Sequence, residues 1–157
     1  FISIRGVFNM QEQQYSDPYV KRFKEGRFES LMRWEQLEKF WQDLRPQIDD
    51  SWFVYAIGES APDSPTSKEH TLKFIDEIDE LLHREHDEDY CGIVYADNHH
   101  QPDFIKIFDP NNLGVSCGFS ENPPLPGWVM SKMKPVDLQE ALQPANNRRR
   151  WWQKIFD

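Results

Sequence analysis

Two neighbouring stretches of sequence decide the fold: YCGIVYAD at residues 90–97 and DFIKIFDP at residues 103–110. Each stretch is short and rich in β-branched and aromatic residues, and a polar break, DNHHQP, joins them. This pattern predicts two antiparallel strands connected by a hairpin loop. A turn signal, DPNN, and a further apolar run at residues 113–117 follow, so we expect a third strand in a meander.

Two amphipathic helices are predicted on the amino-terminal side of this hairpin. The first covers residues 30–44, with Ser30 as its N-cap, because apolar residues recur there at spacings of three and four. The second follows a capping-box pattern formed by Thr66 and Glu69 and ends near Arg84. A turn or two of helix is also expected after Asp17 and Pro18, since proline suits the first helical position.

The remaining elements complete an α+β pattern. The run WFVYAI at residues 52–57 is typical of a central strand buried on both faces, and residues 1–8 predict another strand. A short helix is expected over residues 136–142. The proline-rich stretch before Trp128 predicts a strap anchored on the sheet by that tryptophan, and residues 146–157 predict a C-terminal helix.

This order of elements predicts a single α+β domain over residues 1–157. We expect a mostly antiparallel or mixed sheet of four to five strands. The two main helices should cover one face of it.

Composition narrows the classes of function. The chain has 157 residues and a formal net charge of −9, which disfavours binding to nucleic acid phosphates. No apolar run reaches the roughly 18 residues of a transmembrane helix. Only two cysteines are present, Cys91 and Cys117, and thiols in an acidic domain of this size favour a reducing, cytoplasmic location.

One candidate site combines Cys117 with the loop histidines His99 and His100 and with Asp109. A cysteine nucleophile needs a nearby base, and such pairs form in space rather than along the chain. The alternative interpretation is that both cysteines are core residues of neighbouring strands. The sequence alone does not decide whether the protein is an enzyme, and it favours a function without catalysis.

A metal site is a weaker possibility. His83 and His86 are three residues apart, which places them on the same helix face. However, the chain has neither HExxH nor CxxC, and histidines near a helix carboxyl terminus are also explained by the helix dipole. No metal and no other cofactor is therefore predicted.

Charge patterning suggests a protein-binding function. The second predicted helix exposes four acidic residues, Asp76, Glu77, Asp79 and Glu80, whereas the carboxyl terminus is basic and aromatic and contains Trp151 and Trp152. Acidic surfaces steer association with basic partners. We expect a small interaction or regulatory module, immunity-like for example, that binds a basic protein or a second copy. A small enzyme or ligand-binding protein with its site in residues 97–120 is the alternative.

Overall fold

Within the part of the chain that the structure describes, five short strands form one antiparallel sheet in the order β1-β3-β4-β5-β2. The structure is a computed structural model that describes residues 17–112 and 125–138. The strands are β1 (Glu29–Ser30), β2 (Phe53–Ala56), β3 (Val94–Ala96), β4 (Phe104–Ile107) and β5 (Trp128–Ser131). The helices are α1 (Pro18–Glu25), α2 (Trp34–Leu44) and α3 (Lys68–Glu85), with 3-10 turns at Arg45–Gln47 and Pro110–Asn112. The α+β prediction is confirmed.

The predicted hairpin is present. Strands β3 and β4 pair antiparallel, with Tyr95 opposite Lys106. The DPNN turn forms because the Asp109 carboxylate accepts a hydrogen bond of 2.9 Å from the backbone nitrogen of Asn111. Local turn chemistry and strand propensity were therefore sufficient to predict this unit.

Helices α2 and α3 lie together on one face of the sheet, as the sequence predicted. Their apolar stripes, which include Phe40, Trp41 and Ile78, form one buried cluster with Val94 and Ile105 from the sheet. The opposite face is covered by α1, whose Tyr19, Val20 and Phe23 pack against Phe104 and Val129. The described sheet is thus covered on both faces.

The expectation of a central strand at residues 52–57 was wrong. Strand β2 lies at the edge of the described sheet, because β5, which the sequence did not predict, inserts between β4 and β2. Thr66 covers the exposed edge. Its backbone nitrogen donates to the carbonyl of Trp52 at 2.7 Å, and its hydroxyl accepts from the backbone nitrogen of Val54 at 3.2 Å. The loop therefore satisfies edge groups that a neighbouring strand would otherwise pair.

Both predicted helix starts require correction. Ser30 belongs to β1, and α2 begins at Trp34 after Arg33, whose backbone nitrogen donates to the Gln36 side chain at 3.0 Å. Helix α3 is capped by Ser67 rather than Thr66, and the Ser67 hydroxyl accepts from the backbone nitrogen of His70 at 3.2 Å. Thr66 is not free to cap because it pairs with the edge of β2.

Several predicted elements lie outside the described residues: the strand at 1–8, the third meander strand at 113–117 and the C-terminal helix at 146–157. Most of the short helix expected at 136–142 also lies outside them. Trp128, the predicted anchor of the strap, is partly buried against the core. It is the first residue of β5.

Candidate functional site

A small cleft lies between α2 and the β3–β4 loop. Its volume is about 150 Å³, and its lining consists of Leu31, Gln36, Lys39, Phe40, Asp43, His99 and His100. Both histidines singled out from the sequence therefore line the same cleft. The opposite wall comes from α2, whose position there was not predicted from the sequence.

Hydrogen bonds within the loop fix the two histidines. The Asn98 side chain accepts from the backbone nitrogens of His100 (2.8 Å) and Gln101 (2.9 Å). The Asp97 carboxylate accepts from the backbone nitrogens of Asp103 (3.0 Å) and Phe104 (3.2 Å). Asn and Asp stabilise turns in this way, because their side chains replace a backbone acceptor.

The ring of His99 is held in one orientation. Its Nε2 lies 3.2 Å from the carbonyl oxygen of Glu29, and the ring meets Phe40 edge-on with centroids 6.2 Å apart. A carbonyl only accepts, so Nε2 carries the hydrogen. In the neutral ring, Nδ1 then holds the lone pair and can act as a base or ligand.

His100 contributes an exposed side chain and a bridging backbone group. The Gln47 side-chain nitrogen donates to the His100 carbonyl at 2.7 Å and to the Asp43 carbonyl at 2.9 Å. This bridge ties the loop to the end of α2. Lys39 and Asp43 lie 3.7 Å apart on the same rim, so the cleft presents one cation, one carboxylate and two imidazoles.

Asp109 is not brought to this cleft. It follows β4, whereas the histidines precede it, and a four-residue strand spans about 10 Å. The Asp109 carboxylate instead accepts from the backbone of Asn111. Cys117 lies outside the described residues, so its pairing with an imidazole stays a prediction.

The two histidines considered for a metal site are engaged elsewhere. His83 stacks on Trp34 with ring centroids 4.4 Å apart, and its Nε2 lies 3.4 Å from the Asp79 carboxylate. His86 is buried and donates from Nε2 to the Cys91 carbonyl at 2.9 Å. Among residues 17–112 and 125–138, no three His, Cys, Asp or Glu side chains are placed to hold a metal ion together.

Cys91 is a fully buried free thiol. Burial in the apolar core raises the pKa of this thiol, because a thiolate there would lose its hydration. The thiolate is the reactive form of cysteine. Cys91 is therefore an inert core residue, whereas the same interpretation of Cys117 stays a prediction.

The four acidic residues of α3 divide into two pairs. Asp76 lies 2.5 Å from the Arg45 guanidinium, and Asp79 accepts a hydrogen bond of 3.0 Å from the Trp41 indole. Both therefore join α3 to the end of α2. Glu77 and Glu80 are exposed to solvent. Trp151 and Trp152, the other candidates for partner contact, lie outside the described residues.

Lys106 is a half-buried cation that sequence reasoning did not single out as a site residue. Its ammonium donates to the carbonyl of Phe23 at 2.6 Å and lies 4.2 and 4.0 Å from the ring centroids of Phe23 and Phe28. Desolvation by burial lowers its pKa to about 8. The available signal was a lone lysine in the apolar run FIKIF.

Comparisons with known proteins add no relative: no protein-family model matches the chain, and neither the curated proteins nor the solved structures contain a match. In the described part of the chain, no helix combines the length and apolarity needed to cross a membrane.

Proposed function

We propose that this protein is a small acidic interaction or regulatory module that binds a basic protein partner, in the manner of an immunity protein. The observation that carries the proposal is a row of exposed carboxylates along α3 and the segment after it. We call it the acidic surface, and it consists of Asp76, Glu77, Glu80, Glu85, Asp87, Glu88 and Asp89.

Few cations in the described residues neutralise the acidic surface. Arg45 pairs with Asp76, and Arg84 lies 3.9 Å from Glu80 and 3.8 Å from Glu85. No described cation lies within ion-pair distance of Glu77 or of residues 87–89. Uncompensated charge of one sign attracts an oppositely charged partner and accelerates encounter.

The position of residues 87–89 strengthens the proposal. They directly follow the carboxyl end of α3, where the helix dipole is negative and carboxylates are destabilising. Charges that oppose local stability are common at functional surfaces, because function there requires them. We assign the module to the cytoplasm, since the buried free thiol of Cys91 is consistent with a reducing compartment.

Affinity capture from the native cell extract tests this function. The full-length protein is compared with a neutralised variant, D87N/E88Q/D89N, in which side-chain size is retained. We expect the natural protein to capture a basic partner and the variant to bind that partner about tenfold more weakly, since each exposed charge pair contributes up to about 1 kcal/mol. D63N, in the exposed loop before α3, is the matched control. Equal capture by both proteins, or capture of an acidic partner, would contradict the proposal.

A second candidate function is binding or turnover of a small ligand in the cleft. It is favoured by the fixed ring of His99, whose Nδ1 faces away from the hydrogen bond with Glu29. NMR titration of the full-length protein with a fragment library tests it. Shifts confined to residues 36–43 and 98–101, abolished in H99A, would support this function, and shifts scattered over the surface would exclude it.

A further inference from the structure

Two large apolar side chains lie exposed beside the acidic surface. Met32 is 50% exposed and Tyr90 is 53% exposed, whereas most large apolar side chains of the described chain are buried or half-buried. Trp34 lies next to them and is half-buried. We call Met32, Trp34 and Tyr90 the aromatic patch. Tyrosine, tryptophan and methionine are enriched at protein interfaces.

The backbone holds the aromatic patch in place. The nitrogen of Cys91 donates to the carbonyl of Met32 at 2.7 Å, and the nitrogen of Gly92 donates to the carbonyl of Leu31 at 3.0 Å. Gly92 has a φ of +68°, and a β-carbon there would lie 3.2 Å from the Tyr90 ring and 3.8 Å from the Met32 sulfur. Glycine at this position lets the chain turn while both side chains stay on the same side.

One hydrogen bond and several ring contacts hold the side chains of the aromatic patch in position. The Trp34 indole donates to the carbonyl of Glu88 at 2.9 Å and stacks on His83. His86 lies 5.9 Å from the Trp34 ring and 6.3 Å, edge-on, from the Tyr90 ring. The histidines that suggested a metal site thus contact rings of the aromatic patch: His83 is exposed and stacks on Trp34, and His86 is buried between Trp34 and Tyr90. A preorganised surface loses little conformational entropy when a partner binds.

Exposed carboxylates adjoin the aromatic patch along the chain. Residues 87–89 of the acidic surface immediately precede Tyr90, and Glu35 follows Trp34 in the first turn of α2. The exposed Arg33 is the nearest cation in sequence. An apolar ring bordered by negative charge fits a side chain that is both planar and cationic.

We propose that the aromatic patch binds an arginine-bearing segment of a partner protein, with a guanidinium over the Tyr90 ring and paired to the carboxylates of residues 87–89. This inference rests on the proposed function and names the contact point within it. Arginine fits better than lysine, because its planar guanidinium stacks on aromatic faces and pairs bidentately with carboxylates. Met32 provides an adaptable contact for an apolar neighbour of that arginine.

Calorimetric titration with two synthetic peptides tests the inference on the full-length protein. One peptide alternates arginine with leucine, and the other alternates lysine with leucine. We expect the arginine peptide to bind about threefold tighter at physiological salt, because a guanidinium, unlike an ammonium, stacks flat on the ring and pairs bidentately with a carboxylate. M32A/Y90A should weaken the arginine peptide about tenfold and abolish the preference. Y90L keeps apolar area but has no π face. It should abolish the preference for arginine over lysine and otherwise leave peptide binding largely intact.

The matched control is M133A, because Met133 is also exposed, at 37%, but lies in the segment after β5. Its binding should equal that of the natural protein. Equal affinity for the two peptides, or unchanged binding by M32A/Y90A, would overturn the inference. A self-associating protein that M32A/Y90A converts to a monomer in sedimentation would also overturn it, since a second copy would then occupy the patch.

Failure of this inference is distinguishable from failure of the proposed function. If the captured basic partner is lost by D87N/E88Q/D89N but fully retained by M32A/Y90A, the acidic surface binds it and the aromatic patch does not. If neither variant loses it, both proposals are wrong. Loss by both variants supports both.

Discussion

Lys106 shows how one residue can oppose stability within a well-packed face. Its ammonium is surrounded by Phe23 and Phe28 between α1 and the sheet, and its donor is satisfied by the Phe23 carbonyl. Even so, burial lowers its pKa to about 8 from 10.5, which means that the charged form is disfavoured in the folded protein. The unfolded protein therefore binds more protons between these two values, and the contribution of Lys106 to stability rises with pH there.

Replacing Lys106 with methionine should stabilise the protein at neutral pH. We expect a gain of about 1–2 kcal/mol, because methionine fills the same volume without a charge and residual solvent contact reduces the full cost. The gain should shrink as pH rises from about 8 towards 10.5. Urea unfolding across this range measures it. Burial also raises the pKa of Cys91 and of Tyr19, which lowers stability at alkaline pH in both proteins, so the difference between them isolates Lys106.

The control for this prediction is K21M, because Lys21 is exposed on α1. Its stability difference from the natural protein should be small at every pH. A K106M difference that stays constant with pH would contradict the proposed cause.

Asp97 is the residue on which the loop that carries the two cleft histidines depends. Its side chain is only 7% exposed, accepts two backbone hydrogen bonds from Asp103 and Phe104, and lies 2.6 Å from the Arg22 guanidinium. D97A should cost about 1–3 kcal/mol, because the backbone nitrogens of Asp103 and Phe104 lose their acceptor, and the second of these bonds is partly buried. R22M should cost less than about 1 kcal/mol, since Arg22 is half-exposed. Urea unfolding of both variants checks the ranking, and an equal cost would show that the ion pair alone matters.

At the scale of elements, the N-cap of α3 in the structure differs from the one predicted from the sequence. The structure assigns the cap to Ser67, whereas the sequence pattern assigned it to Thr66 with Glu69. S67A should therefore destabilise the protein by about 1 kcal/mol, and E69A by less than about 0.5 kcal/mol. Amide hydrogen exchange at residues 68–71 provides the local measurement. A larger loss in E69A than in S67A would restore the capping-box interpretation.

Elements that depend on local pattern were predictable, and their positions in the sheet were not. The stripes of α2 and α3 and the β3–β4 hairpin follow from periodicity and turn residues within a short window. Strand β5 is four residues long, follows prolines and gains its stability from β2 and β4, which are distant in sequence. Its absence from the prediction is also why β2 was expected to be central.

The candidate sites follow the same division. The β3–β4 loop with His99 and His100 was predictable because it belongs to a local unit. The α2 wall of the cleft was not, because it depends on how α2 packs against the loop. The approach of Met32 to Tyr90 was not either, because it results from tertiary pairing of residues 31–32 with 91–92. His83 and His86 were considered as possible metal ligands, since a contact partner such as Trp34 is visible only in the fold.

At the scale of the whole molecule, the negative charge that the proposed function requires also lowers the stability of the fold. The net charge of −9 generates self-repulsion, and the acidic surface concentrates part of it at the end of α3. A surface that only had to be hydrated would gain from mixed charges. Binding of a basic partner, as proposed above, would neutralise the excess of carboxylates there.

The same neutralised variant that should lose its partner should also gain stability. We expect D87N/E88Q/D89N to be about 0.5–1 kcal/mol more stable at low salt, because it removes carboxylates from the negative end of a helix dipole. The gain should fall towards zero near 0.5 M salt, where the screening length is only a few ångströms. Thermal or urea unfolding at both salt concentrations measures it, with D63N as the control that should show no gain. A loss of stability in the variant would mean that residues 87–89 serve the fold, and it would remove the trade-off on which their assignment to binding depends.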